Sequence, residues 1–236
     1  MPLQQAKLVN KKFLTNDVIE LVFQTENPFE YKAGQFISLK VTDNEPAPCI
    51  RGYSISSRPK AGNNTFELCV KLMPNGRGSN YLNNLKDGDK IEFLGPNGKF
   101  TFEEDLSKKT ILISTGTGIS PIKAIIEDEL INKNYKGKLE LLFGVRYISG
   151  VFYNDIFKAL AEKYGNFSYM TTISRPEKEE YKGPKGRVTD LLRQLEINPS
   201  STNFYMCGLK DMIDEVTQIL KDKQVPEENI HFEKYD

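Results

Sequence analysis

The chain has 236 residues, 39% hydrophobic and 27% charged, with 32 basic against 32 acidic side chains. That balance excludes a disordered chain and leaves room for one large domain or two modest ones. A formal net charge of zero gives no global pull toward nucleic acid or an anionic membrane, so neither is expected as a partner.

No apolar run is long enough to span a bilayer, and the opening MPLQQAKLVNKKF has no apolar signal-peptide core; a cytoplasmic protein is expected. Cys49, Cys69 and Cys207 are odd in number and irregularly spaced, which argues against a disulfide framework. Three thiolates also fall short of the four that hold an iron–sulfur cluster. If electrons leave singly, their carrier is another molecule. His231 is the only histidine, so a multi-histidine metal site and a Ser–His–Asp arrangement are not expected.

In chain order, β-rich runs recur at residues 6–13, 18–24, 36–41, 52–56, 65–73 and 90–94. Turn clusters such as Lys60-Ala61-Gly62-Asn63-Asn64 and Lys86-Asp87-Gly88-Asp89 separate them. Short strands without a long helical pattern predict a small antiparallel barrel.

The grammar then changes. Strands are expected at 110–114, 139–145, 167–173, 203–207 and 230–232, and helices at 121–132, 154–164, 188–195 and 210–221. Such alternation predicts a parallel sheet covered on both faces. The change falls in the charged segment 103–109, dividing the chain into domains 1–104 and 105–236.

Between the first strand and first helix of the second half stands Ser114-Thr115-Gly116-Thr117-Gly118-Ile119-Ser120-Pro121. Gly116 and Gly118 let the backbone turn sharply and approach a pyrophosphate, whose charge suits a helix N-terminus. Thr115, Thr117 and Ser120 offer hydroxyl donors. Pro121 replaces the third glycine of the usual dinucleotide fingerprint, so an ordinary strand-to-helix turn remains the alternative.

In the first half, Arg51-Gly52-Tyr53-Ser54 sets a guanidinium fork for phosphate, an aromatic face for a flat ring and a hydroxyl in one run. This run resembles the Arg-x-Tyr-Ser motif of the ferredoxin–NADP reductase family. Leu68-Cys69-Val70-Lys71, Gly78-Ser79-Asn80-Tyr81-Leu82 and Gly95-Pro96-Asn97-Gly98 are similar to that family's later flavin-domain segments. Thr115–Pro121 resembles its Gly-Thr-Gly-x-x-Pro loop, Tyr205-Met206-Cys207-Gly208 its Cys-Gly segment, and Glu233-Lys234-Tyr235 its terminal Glu-x-Tyr. Asp236 follows Tyr235, where many members end on the aromatic residue.

The resemblance implies an N-terminal antiparallel Greek-key β-barrel for FAD and a C-terminal Rossmann-like parallel-sheet α/β domain for NADP. Arg51 and Ser79 would hold the FAD pyrophosphate, with Gly78, Cys69, Val70 and Lys71 in the flavin wall. Tyr53 would pack on one flavin face and Tyr235 on the other, with Ser54 near flavin N5. Thr115, Gly116, Thr117, Gly118 and Pro121 would hold the nicotinamide nucleotide. Cys207, Gly208 and Glu233 would line the nicotinamide pocket, and Ser54, Cys207, Glu233 and Tyr235 would form the catalytic set.

Arg146, Arg175 and Arg187 follow strand ends or open a helix, and no acidic residue closes Phe143-Gly144-Val145-Arg146 to grip a ribose hydroxyl. Ser174-Arg175 resembles the family's Ser-Arg pair for the 2′-phosphate, with Arg146 and Arg187 similar to its other two contacts, which favours NADPH over NADH, although NADH-using relatives also carry Ser-Arg-Pro. The expected activity moves hydride between NADPH and FAD and exchanges single electrons with a separate ferredoxin or flavodoxin. The alternatives are a flavin reductase, the reductase component of an oxygenase, or a non-catalytic electron-transfer subunit.

Overall fold

The computed structural model describes residues 2–43, 45–177 and 181–235; Asp236 lies outside them. The first sheet is antiparallel and six-stranded, in the order β4-β3-β6-β1-β2-β5. Its strands are β1 (Gln4–Phe13), β2 (Val18–Thr25), β3 (Phe36–Val41), β4 (Cys49–Ser54), β5 (Thr65–Lys71) and β6 (Lys90–Asn97). An antiparallel bridge between Ile55 and Leu68 joins the two ends of this order and closes the barrel.

Alternation tells which face each strand buries. In β3, Ile37, Leu39 and Val41 point into the barrel core while Lys40 stays outside. Strands β2 and β5 break this rule because both their faces are covered. Ile19, Leu21, Phe23, Phe66, Leu68 and Val70 fill the barrel, whereas Val18 and Cys69 face outward into the core of the second half. Sequence alternation therefore reads β2 as a nearly continuous apolar run.

One helix interrupts the barrel, α1 (Arg77–Asn84), where the sequence reading expected none. Its residues are polar apart from Tyr81 and Leu82, so no helical apolar stripe shows.

The second sheet is parallel and five-stranded, in the order β11-β10-β7-β8-β9. It comprises β7 (Lys109–Thr115), β8 (Leu139–Val145), β9 (Phe167–Ile173), β10 (Thr202–Leu209) and β11 (Ile230–Tyr235). Helices α2 (Ile119–Glu127) and α3 (Asn154–Lys163) cover one face, over Leu112, Leu141, Tyr205 and Cys207. Helices α4 (Val188–Gln194) and α5 (Lys210–Asp222) cover the other, over Ile111, Ile113, Phe204 and Met206. The helix expected over 121–132 is divided: after α2 the backbone widens into a π-helical turn, Asp128–Asn132. The last strand runs on to Tyr235, so Glu233 and Tyr235 sit on a sheet edge rather than on a loose tail.

The two halves share an apolar seam. Val18, Ala33, Cys69 and Phe100 pack in one cluster with Ile119, Ile122, Ile125 and Ile126.

The centre of the barrel is aromatic. Phe66 is fully buried and its ring lies 5.6, 5.1 and 5.4 Å from those of Phe23, Phe29 and Phe93. Truncation to Phe66→Ala is expected to cost about 3–5 kcal/mol through lost contacts and a residual cavity. A urea denaturation series reads this as a lower midpoint at unchanged slope.

Candidate functional site

Strand order reverses beside β7: the chain leaves β7 for β8 on one side, and returns to β10 on the other. The loops after β7 and β10 thus open a crevice at the carboxyl ends of the strands, the place where open α/β sheets bind ligands. Backbone approaches backbone closely there. A Cβ at Gly118 would lie 2.2 Å from the Cys207 carbonyl oxygen and 2.8 Å from Gly208 Cα, so only glycine fits.

Gly116 and Gly118 form a 3₁₀ turn that passes directly into α2, with Pro121 buried in the first helical turn. Ser114 Oγ and Thr115 Oγ1 are buried without a hydrogen-bond partner in this crevice, the kind of debt that a bound polar ligand settles. Ser120 does not contribute as the sequence reading expected. Its hydroxyl is buried and donates to the Thr117 carbonyl at 2.7 Å.

The barrel supplies the opposite wall. Arg51, Tyr53 and Ser54 follow one another along β4, and pleating turns Tyr53 and Ser54 to opposite faces. A Cβ at Gly78 would fall 2.5 Å from Tyr53 Oη and 3.1 Å from Arg51 Cγ. Arg51 and Tyr53 therefore converge on the first turn of α1, the kind of helix end whose first amides lack intrahelical partners and suit an anion. Ser79 serves that turn internally: its Oγ accepts from Met73 N at 3.1 Å and donates to Gly76 O at 3.1 Å. Cys69 and Val70 are buried, and Lys71 is exposed and paired with Asp17.

Between the walls, four predicted residues meet. Parallel pairing sets Cys207 beside Glu233 and Leu209 beside Tyr235. The Tyr235 hydroxyl donates to Ser54 Oγ at 2.7 Å, and Ser54 Oγ donates to Glu233 Oε1 at 2.9 Å. Residues about 180 positions apart in the chain thus form one hydrogen-bonded row. Burial lifts the Glu233 carboxyl above its ordinary range, partly offset by the Ser54 hydrogen bond. Burial, reinforced by the nearby Glu233 carboxylate, also raises the Cys207 thiol well above its usual value. Cys207 is therefore a neutral thiol and no nucleophile at ordinary pH.

The three arginines come from neighbouring backbone. Arg175 N donates to Arg146 O at 2.7 Å, Ser174 N to Val145 O at 3.0 Å, and Gly186 N to Ile173 O at 3.0 Å. Arg146, Arg175 and Arg187 are exposed at this corner, at the ends of β8 and β9 and the start of α4. Arg187 lies 3.9 Å from the Glu215 carboxylate.

These residues fit a flavin and a nicotinamide nucleotide. Each wall has a glycine cradle that a single methyl group would fill, and the dinucleotide crevice holds unpartnered hydroxyls. Among the described residues no His, Cys, Asp and Glu group suits a metal ion, and no helix is long and apolar enough to cross a membrane.

Residues 5–102 match the family described as oxidoreductase FAD-binding domain, and residues 112–218 the one described as oxidoreductase NAD-binding domain. The chain is 30% identical to ferredoxin–NADP reductase B of Sorangium cellulosum, over 98% of this chain and 97% of that protein. It is 28% identical to the toluate 1,2-dioxygenase electron transfer component of Pseudomonas putida, over 98% of this chain and 67% of that one. Among solved structures, ferredoxin NADP+ reductase from Neisseria gonorrhoeae, with bound FAD and NADP, superposes with a TM-score of 0.83 at 24% identity, covering 99% of both chains. With an FAD-binding barrel followed by an NAD-binding α/β domain, the chain belongs to the ferredoxin–NADP reductase family of flavin-dependent oxidoreductases.

Proposed function

We propose that this protein passes hydride between NADPH and FAD across the crevice joining its two domains, and exchanges single electrons with a separate ferredoxin or flavodoxin. The observation that carries this reading is the row Tyr235–Ser54–Glu233, which brings the flavin wall and the nucleotide wall to one point. Bound FAD supplies a hydride acceptor that can release electrons one at a time, chemistry that no side chain here provides.

The protein's own part is binding, orientation and proton handling. The α1 amides, Arg51 and Ser79 hold the flavin diphosphate, and the Ser79 hydroxyl also braces the turn. Tyr53 and Tyr235 bracket the flavin ring. Gly116, Thr117 and Gly118 hold the nicotinamide pyrophosphate, assisted by Thr115 Oγ1. Arg146, Ser174, Arg175 and Arg187 engage the 2′-phosphate, which selects NADPH over NADH. Cys207, a small neutral thiol, lets nicotinamide approach without reacting with it.

Ser54 sits between a donor and an acceptor, so it can relay a proton. Its Oγ accepts from the Tyr235 hydroxyl and donates to Glu233 Oε1, so with FAD held at this wall Ser54 would be the side chain that carries a proton between the crevice and that carboxylate. The raised Glu233 value makes this carboxylate a stronger base than an ordinary one.

The similarity to an oxygenase electron transfer component favours a second outlet, delivery to the oxygenase partner of such a system. The three buried cysteines are unpaired and fewer than the four that hold an iron–sulfur cluster, so these residues do not themselves supply the one-electron carrier.

The purified protein is expected to be yellow, and anaerobic NADPH should bleach it faster than NADH. A colourless protein that reduces added FMN, or no ferricyanide reduction with either nucleotide, would overturn the proposal.

Tyr235→Ser is expected to tighten binding of oxidised nucleotide and to narrow the preference for NADPH, because the ring that competes with nicotinamide is gone. Product-inhibition constants for NADP+ check this; unchanged inhibition would remove Tyr235 from the role.

The Glu233 base is active only when ionised, so turnover with a one-electron acceptor should rise as pH climbs through its raised value. Glu233→Gln should flatten that rise and lower the plateau by about 100-fold, a typical worth for general-base catalysis. A pH profile of ferricyanide turnover reads both changes.

A further inference from the structure

Helix α2 carries an ammonium on the face that should be wholly apolar. Lys123 lies among Ile119, Ile122 and Ile126, two residues beyond Pro121, and its side chain is only 4% exposed. Its Nζ donates to the Ser56 carbonyl at 3.1 Å and contacts Glu67 Oε2 at 3.4 Å and Glu127 Oε2 at 3.1 Å. Ser56 and Glu67 belong to the barrel, and Glu127 to α2 itself. One buried cation thus holds two carboxylates and a carbonyl from both sides of the domain seam.

The position of these partners is what gives the contact meaning. Ser56 stands two residues after Ser54, just past the end of β4 and the Ile55 bridge, and α2 begins at the nucleotide loop. From Ser54 to Gly118 the path is two residues of chain, one hydrogen bond from Lys123 and the opening of α2. Burial works against the Lys123 charge, but Glu127 and Glu67 more than offset it and hold its pKa above the ordinary lysine value. The ammonium stays charged.

A second tie lies beside it. Tyr153, in the left-handed region at φ 60°, sends its hydroxyl to Glu20 Oε2 on β2 at 2.6 Å, and Lys12 holds the other Glu20 oxygen at 2.7 Å. A bulky residue in that conformation costs about 1–3 kcal/mol, so its surroundings must hold it there. The Lys123 ammonium sits 5.1 Å from the centre of the Tyr153 ring. The apolar seam of Val18, Ala33, Cys69 and Phe100 already holds the domains together. Non-directional burial does not fix their registry; directed bonds to Ser56, Glu67 and Glu20 do.

We propose that Lys123 is a positioning residue for hydride transfer: by tying α2 to Ser56 and Glu67 it fixes where the nucleotide loop stands relative to Ser54. This rests on the two-cofactor reading above. Hydride transfer is steeply sensitive to placement, and a 1 Å error can cost about 100-fold.

The test compares the FAD-loaded wild type with Lys123→Met, Lys123→Arg and Glu67→Gln. Lys123→Met leaves Glu67 and Glu127 facing each other without their cation. It is expected to keep its FAD-to-protein absorbance ratio and its concentration dependence on NADPH. Single-turnover flavin bleaching should slow by about tenfold or more, and Lys123→Arg should recover most of the rate. Glu67→Gln, which leaves Ser56 and Glu127 on the lysine, should slow bleaching about threefold.

Amide hydrogen exchange gives a readout independent of turnover. Residues 115–127 should exchange faster in Lys123→Met, while the barrel core exchanges as in the wild type. Bleaching within about twofold of the wild type, or unchanged exchange across 115–127, overturns the proposal. If Lys123→Met does not retain FAD, Glu67→Gln decides by the same two criteria. Failure of the wild type itself to bleach with either nucleotide would instead sink the functional reading and leave the exchange result standing.

Discussion

The site exists because two backbones touch where no side chain intervenes. Gly118 brings the loop after β7 against the Cys207 carbonyl, at a distance that a single Cβ would forbid. From that contact the rest follows. The nucleotide loop lies against the end of β10, Cys207 lies beside Glu233, and Glu233 reaches Ser54 across the seam. Hydride transfer asks a protein mainly for placement, and this chain achieves placement by backbone packing first and side-chain bonds second.

The electrostatics of the crevice follow the same logic. Neither Cys207 nor Tyr235 ionises readily, since burial raises both well above their usual values. Glu233 is the one group in the row whose burial moves it toward the working pH range rather than away from it. A mostly neutral pocket with one adjustable carboxyl suits a reaction in which a hydride and a proton travel separately. Arg146, Arg175 and Arg187 stand apart from this pocket, at the ends of β8 and β9 and the start of α4.

Most of the architecture is legible in the sequence because periodicity reports burial. Strands β3, β8 and β9 emerge at the expected residues, since each runs between clear turn signals. Helix α1 is invisible to such reading, as its single turn of useful apolar residues leaves no stripe. The four residues that meet between the walls, Ser54, Cys207, Glu233 and Tyr235, are legible only through motif resemblance; nothing in local pattern links Ser54 to Tyr235. The inward hydroxyl of Ser79 shows the limit of that route, because a motif gives the position of a side chain and not its hydrogen-bond partner. Lys123 could have been suspected from sequence alone: a lysine on an isoleucine face is a local conflict, and such conflicts mark function more often than error. Glu20, Glu67 and Tyr153 carry no such mark, since their partners lie in the other domain.

The edge strand β11 adds a constraint on how the chain can vary. Side chains alternate across a strand with a period of two, and here Glu233 and Tyr235 face inward while Phe232 and Lys234 are exposed. Inserting one residue in β11 ahead of Phe232 would exchange the two sets, presenting Phe232 and Lys234 to the crevice and turning the acid and the ring to solvent. Length variation in the connection between α5 and β11 is therefore harmless only where the loop absorbs it. In descendants of this sequence, that loop should drift in length while the parity of the strand stays fixed.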